Sequence, residues 1–437
     1  MNKSNEQLLH FISGSPSSYH AVLQGTAMLE KAGFERLDQT APWELKPGGS
    51  YYTVPYGSTL FAFTIGEQFD HDPFIRAAAA HTDHPGFHIK PLAEVHEKNY
   101  LKVNTESYGG LILNTWLDRP LSIAGKAALK SSNVLKPKVR YVDFQKPVLT
   151  IPNLAIHINR DINKGVELNK QTDTLPLLAM MNDTLNKDHY FLNYLAEQLD
   201  TEPEEILDFD LYVYNAEEGC MLGMNDDFIS CPRLDNLTSV IALLDAVMTG
   251  RRDGGINLIA LYDNEEIGSR SKQGADSFLT NIILEKIFSA LGKTRTQLYE
   301  AVLGSLLLSV DVAHGLHPNY PAKNDLTNFA SLNGGVVLKI DSNQKYAFDT
   351  EAIAAVQQLC EAGQIKYQKF VNRSDAGSGS TLGSIASAWL PMKTVDLGVP
   401  LLAMHSAREL MGSQDQEQLC RLIRSFFEWI DVNHTVK

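Results

Sequence analysis

The sequence predicts an α/β fold in which a mixed sheet carries helices on both faces, with a β-rich domain inserted into the chain. Four short apolar runs, at 73–80, 256–262, 306–310 and 399–404, stand far apart and show no polar alternation. Such runs are typical of strands that are buried on both faces of a parallel or mixed sheet. Predicted helices lie between and around the runs, which indicates the α/β class. The region 89–226 differs in composition and indicates the second domain.

Helices are predicted at both ends of the chain and before the second apolar run. Segments 4–13 and 18–32 have helical patterns, and Gly33 ends the second of them. Segments 237–250 and 415–433 are also predicted to be helices. At 437 residues the chain exceeds the size at which a single core stops growing, so two domains are expected.

The region 89–226 is rich in β-branched residues, prolines and turn residues, and it contains one predicted helix at 189–199. Apolar runs of the α/β part stand both before and after this region. We therefore interpret it as an insertion. The predicted division is therefore one discontinuous domain, 1–88 with 227–437, and one inserted domain, 89–226.

Composition excludes several classes of protein. The formal net charge of −14 argues against nucleic acid or an anionic membrane as a partner. The sequence has neither an apolar run long enough to span a membrane nor a signal-peptide pattern, which predicts a cytoplasmic protein. The four cysteines form no C-x-x-C pair, so any zinc site here would not be a thiolate site.

Each of the four apolar runs leads into residue types that bind metal ions. These residues are His81, Asp263, Glu265, Glu266, Asp311 and His405. Open α/β sheets place their ligand sites at the carboxyl ends of strands. Two imidazoles with several carboxylates suit Zn²⁺, with Mn²⁺ or Co²⁺ as possible substitutes. The number of carboxylates exceeds what one zinc needs and favours two metals about 3.5–4 Å apart.

Each of these residues also has a simpler interpretation. A single histidine after a strand is commonly a hydrogen-bonded loop residue. Asp235, which precedes a predicted helix, could serve only as its N-cap, and Glu265 with Glu266 could lie in a solvated turn. Metal-binding residue types at all four strand ends are an unlikely coincidence, and this joint pattern favours the metal site.

Six segments together resemble one known family. The segments are "HTDHPG", "RLDNLTS", "DNEEIGS", "SVDVAHGLHPNYP", "NGGVVLKI" and "LLAMHSARE". In order and spacing they resemble the aspartyl aminopeptidase family of co-catalytic zinc exopeptidases, over nearly the whole chain. The resemblance implies an α/β zinc-peptidase domain with an inserted β-rich dimerisation domain. It also implies homo-oligomers in which dimers assemble into dodecamers.

The resemblance further implies the roles of the site residues. One zinc would be held by His81, Asp311 and a bridging Asp235, and the other by Asp235, Glu266 and His405. Glu265 would be the general base, and Asp83 would orient His81.

Three further residues match family positions near the substrate: His157, His314 and Lys339. The family has a histidine of the inserted domain that reaches a neighbouring subunit's active site, and His157 stands at that position. The alternative for His157 is an outward-facing strand histidine at the dimer interface.

The expected activity is removal of the N-terminal residue of a peptide by a two-zinc-activated water, with Glu265 as base. The family is named for its preference for acidic N-terminal residues, although related enzymes prefer neutral N-terminal residues. A carboxypeptidase or N-deacylase on the same scaffold is one alternative. Such an enzyme would need a cation to bind the substrate carboxylate, and Arg408, close to His405 in the sequence, is the candidate for it. A non-catalytic assembly protein is the other alternative, and the retained Glu265 argues against it.

Overall fold

The computed structural model of the chain describes residues 1–165, 167–181, 189–377 and 379–429. Contacts within the chain divide it into two units. The first unit contains Met1–Asp83, Gly219–Met404 and the chain from Glu409 onward, and the second contains His84–Glu218 with His405–Arg408. The predicted domain boundaries at 89 and 226 stay a prediction.

Helices are found at each segment that the sequence predicts to be helical. The described helices are α1 (Lys3–Ser13), α2 (Ser18–Lys31), α3 (Tyr190–Gln198), α4 (Leu234–Thr249), α5 (Leu279–Ala290), α6 (Arg295–Gly304), α7 (Thr350–Ala362), α8 (Leu382–Trp389) and α9 (Asp415–Glu428). The Asn2 side chain caps α1 by accepting the Asn5 amide, and Thr294 with Gln297 forms a capping box on α6. Residues 430–433 of the last predicted helix lie outside the described residues.

Strands are numbered in chain order. The described strands are β1 (Glu35–Arg36), β2 (Ser50–Thr53), β3 (Leu60–Ile65), β4 (Ile75–His81), β5 (Gly86–Glu97), β6 (Tyr100–Tyr108), β7 (Leu121–Leu129), β8 (Lys138–Asp143), β9 (Leu177–Met180), β10 (Ile206–Asn215), β11 (Cys220–Leu222), β12 (Phe228–Cys231), β13 (Ile256–Tyr262), β14 (Leu306–Val310), β15 (Ala313–His314), β16 (Val336–Ile340), β17 (Tyr367–Val371), β18 (Lys393–Gly398), β19 (Pro400–Leu402) and β20 (Glu409–Gly412).

The main sheet of the first unit is mixed and has nine strands in the order β1-β2-β3-β13-β4-β14-β18-β16-β17. Its centre, β13-β4-β14-β18, is parallel, whereas β3 and β16 run antiparallel to their neighbours in this block. Alternate residues along a central strand enter two separate cores: Ala78 and Ala80 of β4 pack with α1, α2, α4, α7 and α9, and Ala77 and Ala79 pack with α5, α6 and α8. This alternation confirms the predicted mixed sheet with helices on both faces.

One of the four apolar runs forms a strand, as predicted, but joins a different sheet. The first three apolar runs form β4, β13 and β14 of the main sheet, but the run 399–404 contributes β19 to a separate five-stranded sheet of order β11-β12-β20-β19-β15. The main-sheet strand in this part of the chain is β18, which contains a fully buried aspartate, Asp396. Three of the six residues of β18 are polar, Lys393, Thr394 and Asp396, and they hide this strand from a search for apolar runs.

The second unit contains a six-stranded antiparallel sheet of order β8-β7-β10-β5-β6-β9. Helix α3 packs on it, and its Phe191 and Leu195 share an apolar core with Phe87 and Val213 of the strands. This separate antiparallel sheet agrees with the predicted β-rich second domain. Among the described residues no helix has both the length and the apolar composition that a membrane span requires.

Candidate metal centre

Three strand ends place acidic and imidazole side chains side by side. Strand β4 lies between β13 and β14, and its last residue, His81, is in register with Tyr262, the last residue of β13. Asp311 follows β14 directly. After Asp263 and a left-handed Asn264, Glu265 and Glu266 begin a single 3₁₀ turn, Glu265–Ile267. Because the three strands are parallel and adjacent, their carboxyl ends form one site.

His81, Asp235 and Glu266 form a group with the geometry of a metal site. Each offers one ligand atom, and the three atoms lie within 4.8 Å of one another. His81 Nε2 lies 3.4 Å from Asp235 Oδ1 and 3.5 Å from Asp311 Oδ1. His81, Asp235 and Asp311 are buried. One imidazole nitrogen therefore faces two carboxylates at distances that leave room for a cation between them.

Asp83 links His81 to the two glutamates. His81 Nδ1 lies 3.0 Å from the Asp83 carbonyl oxygen and 3.3 Å from its Oδ1. The same carboxylate accepts the backbone N–H of Glu265 on Oδ1 and that of Glu266 on Oδ2, both at 3.1 Å. Asp83 thus holds the imidazole and the backbone of both glutamates in one arrangement.

Asp235 is positioned by Glu409, a residue that sequence reasoning missed. The Glu409 carboxylate accepts the Asp235 backbone N–H on Oε2 at 3.0 Å, and Glu409 itself is buried. Glu409 is the first residue of β20 and pairs with Cys231 at the end of β12, four residues before Asp235. The only sequence signal was its place at the end of the "LLAMHSARE" segment.

The charges of the cluster indicate that a cation completes it. Burial, followed by the charges of Asp311, Asp83 and Asp235, raises the pKa of Glu265 to about 8, against the opposing effect of His81. Burial and the Asp83 charge raise the pKa of Asp263 to about 7. Burial would lower the pKa of His81, but its carboxylate neighbours outweigh burial and raise it well above 6.5. Carboxylates crowded in a buried site ionise together only when positive charge offsets them, and one imidazole with several carboxylates is a donor set that fits zinc.

Lys339 places a buried ammonium group next to Asp311. It lies on β16 with 1% of its surface exposed, and Nζ donates to the Val312 carbonyl oxygen at 3.1 Å. Its Nζ is 3.8 Å from Asp311 Oδ2 and lies 5.0 Å from the centre of the Tyr346 ring. Burial would lower the pKa of Lys339, but the charges of Asp311 and Asp396 raise it, so the side chain stays charged.

The structure also locates three other histidines that the sequence analysis singled out. His314 ends β15, is exposed, and its ring centre lies 6.3 Å from that of Phe370. His405 belongs to the second unit, where its Nδ1 is 2.9 Å from the Gly110 carbonyl oxygen. His157 belongs to the second unit too, and it is exposed on a turn. His157 is thus not on a strand, and the two predicted roles, at a neighbouring active site or at the dimer interface, both stay predictions.

The sequence matches one family model over residues 11–427, that of the aminopeptidase I zinc metalloproteases, Peptidase M18. A relative named "Probable M18 family aminopeptidase 2" from Clostridium novyi is 42% identical over 426 residues, which cover 97% of this chain and 98% of the relative. A protein of the same name from Ectopseudomonas mendocina is 38% identical over 424 residues, covering 96% and 97%.

Solved structures show the same fold. A chain in a cryo-EM structure of the Ape4 and Nbr1 complex superposes with a TM-score of 0.93 at 32% identity, over 97% of this chain and 85% of that chain. The S. cerevisiae mApe1 dodecamer superposes with a TM-score of 0.82 at 27% identity, over 97% of this chain and 96% of that chain.

Proposed function

The chain belongs to the M18 family of aminopeptidase I zinc metalloproteases, and on this premise we propose how its own residues remove N-terminal amino acids. The resemblance noted in the sequence is confirmed: the protein is an M18 aminopeptidase, a zinc metalloexopeptidase. The observation that carries the detailed proposal is the group of ligand atoms from His81, Asp235 and Glu266.

We assign two zinc ions to this centre. His81, Asp235 and Asp311 would hold one, and Asp235, Glu266 and His405 would hold the other, with Asp235 as the bridge. Support comes from the two oxygens that face His81 Nε2, at 3.4 and 3.5 Å. Bound zinc would supply Lewis-acid polarisation of the scissile carbonyl and acidify the attacking water. Mn²⁺ or Co²⁺ suits the same donors.

Glu265 is the proposed general base. It takes a proton from the attacking water and passes it to the leaving amine, so the carboxylate ends the cycle as it began. Its neighbour Glu266 belongs to the ligand group, which leaves the Glu265 carboxylate for proton transfer. Asp83 holds the backbone of both residues, and this fixes the distance between the base and the ligand.

The proposed specificity is for acidic N-terminal residues, with neutral residues also accepted. Lys339 supports it, because it is a buried ammonium group beside the proposed ligand Asp311. His314 and His157 are the other proposed substrate-binding residues.

Specificity is tested by initial rates on short peptides that differ only in the first residue: Asp, Glu, Leu, Lys and an N-acetylated control. A preference for Asp and Glu that Lys339→Met weakens supports the proposal. A preference for Leu would discard the acidic specificity and keep the mechanism. Cleavage of the acetylated peptide alone would favour an N-deacylase and overturn the free-amine requirement.

We also propose that the chain forms dimers that assemble into a dodecamer, as the S. cerevisiae mApe1 structure is a dodecamer. The region 89–226 would form the dimer contact, and His157 would reach the neighbouring subunit's active site. Mass measurement by light scattering tests the assembly. Mixing a His157→Ala variant with a Glu265→Gln variant tests the shared site, since mixed dimers would regain activity only if His157 acts across subunits.

A further inference from the structure

A cavity of about 360 Å³ lies in the first unit at the amino ends of two central strands. Ile75 and Leu306, which begin β4 and β14, are part of its wall. His81 and Asp311 lie at the opposite, carboxyl ends of these strands. At about 3.3 Å per residue, the six steps from Ile75 to His81 span roughly 20 Å. A small molecule in this cavity would therefore not touch the metal centre.

One of two arginines in the wall is held by the protein. Arg252 has a side chain 5% exposed, and its Nη1 bonds to Asp72 Oδ2 at 2.8 Å. Its Nη2 donates to the Ile256 carbonyl oxygen at 2.9 Å and also to that of Phe74. These bonds fix Arg252 as part of the cavity wall.

The second arginine has donors to spare. Arg76 Nη1 donates to the Phe426 carbonyl oxygen at 2.9 Å, and this is the bond that Arg76 makes within the described part of the chain. A guanidinium carries five N–H donors in a planar fork that matches a carboxylate. Arg76 can thus bind an anion without giving up its contact to Phe426.

The cavity wall also has excess positive charge. Among the described residues that line it, the charged ones are two arginines, Arg76 and Arg252, and one acid, Asp72. Burial and repulsion by Arg76 lower the pKa of Arg252 to about 9, and Asp72 opposes this only in part. A single negative charge beside Arg76 would offset the excess.

The remainder of the wall is largely apolar. Leu306, Leu359, Phe426 and Trp429 contribute to it. A cavity of this size, with an apolar lining and few polar groups, is typical of small-ligand sites. The apolar wall calls for an apolar group on the same ligand that carries the negative charge.

We propose that this cavity binds a small organic carboxylate bearing an apolar or aromatic group. The carboxylate pairs with the Arg76 guanidinium, and the apolar group lies against Leu306, Leu359 and Trp429. A monocarboxylate fits better than a phosphate, because the wall offers one unit of excess positive charge. This site goes beyond the proposed peptidase function and does not depend on it.

The test is calorimetric titration of the zinc-loaded protein with phenylacetate, compared with phenylacetamide, which lacks the charge, and acetate, which lacks the ring. We expect saturable binding of one phenylacetate per chain at this site and much weaker binding of the other two. Arg76→Gln should weaken phenylacetate binding about 10-fold or more, since a charge-assisted pair is lost. Arg76→Lys should retain part of it, and Arg295→Gln, an exposed arginine paired with Glu285, should change nothing.

Peptidase activity without phenylacetate should be unchanged in Arg76→Gln, which separates this site from the metal centre. Trp429→Ala offers a second variant should Arg76→Gln not fold, and it should also weaken phenylacetate binding. Absence of saturable binding, equal binding of phenylacetamide, or binding that neither variant weakens would overturn the proposal.

Discussion

Asp83 and Glu265 are joined by a hydrogen bond from the Glu265 backbone N–H to Asp83 Oδ1, 3.1 Å long. The bond connects the segment that directly follows β4 and His81 to the turn that carries both glutamates. The second oxygen of the same carboxylate accepts the Glu266 N–H. The proposed base and a proposed ligand therefore share one buried acceptor, and their geometry depends on it.

Asp83→Asn should weaken the centre without unfolding the protein. Asparagine has one oxygen where the carboxylate has two, so one of the two backbone N–H groups loses its acceptor. We expect zinc affinity to fall about 10–100-fold, as is usual when a group that supports metal ligands is lost. Zinc competition with a chelator measures this, and Asp70→Asn is the control, because the Asp70 side chain is 73% exposed and lies beside Lys293 on the surface. Unchanged affinity would contradict the positioning role of Asp83.

Asp235→Ala should lose bound zinc, because Asp235 is the proposed bridge between the two ions. Elemental analysis of the purified variant, with circular dichroism to verify the fold, checks this. A folded variant that still holds two metals per chain would refute the bridge.

The contact between Glu409 and Asp235 predicts a graded pair of variants. Glu409→Gln keeps an oxygen that can accept the Asp235 N–H, whereas Glu409→Ala removes it and leaves a buried donor without its acceptor. Zinc affinity should fall about 10–100-fold in the alanine variant and much less in the glutamine variant. Equal losses in both variants would show that the charge of Glu409, and not its acceptor oxygen, is what matters.

Asp415 predicts a pH dependence of stability away from the metal centre. Burial raises its pKa to about 7, although its carboxylate accepts the backbone N–H groups of Asn333 and Gly335. The unfolded chain has a pKa near 3.9 for this group. Its protonated form is therefore favoured by folding, and its contribution to stability is present at low pH and lost as pH rises through 7.

This contribution is isolated by comparing the protein with Asp415→Asn, which does not titrate. The difference in unfolding free energy, wild type minus variant, should fall by about 2 kcal/mol between pH 5 and pH 7. Denaturant unfolding at several pH values measures it. A difference that stays constant or rises over this range would contradict the raised pKa.

Most of the fold could be predicted because its signals are local. Helices α1, α2 and α4 follow apolar periodicity and end at recognisable residues, and β4, β13 and β14 are largely apolar runs with one polar residue each in their interior. Strand β18 escapes a search for apolar runs because half of its residues are polar, among them the buried Asp396. That carboxylate is accommodated by bonds from the Ser309 hydroxyl on β14 and from the Ala347 amide. Such partners are distant in sequence, so composition alone does not reveal them.

The metal-binding residue types could likewise be predicted from their positions at strand ends. The parallel strands of the sheet bring His81, Asp311 and the two glutamates together. Sequence reasoning missed Glu409, whose contact with Asp235 spans 174 residues. It also missed the cavity that Arg76 and Arg252 line. Taken singly in the sequence, Arg76 looks like an ordinary strand residue and Arg252 like an ordinary loop residue. Contacts between distant segments require the folded structure.

The central claim, that Glu265 is the general base of a metal-loaded aminopeptidase centre, is tested most directly by Glu265→Gln. Zinc content and kcat would be measured on the same preparation, using a peptide with a free N-terminus. We predict that the variant retains its zinc and loses about 10²–10⁴-fold in kcat, since glutamine cannot accept the proton. Near-normal turnover in a zinc-replete variant would contradict the assignment of Glu265 as the base.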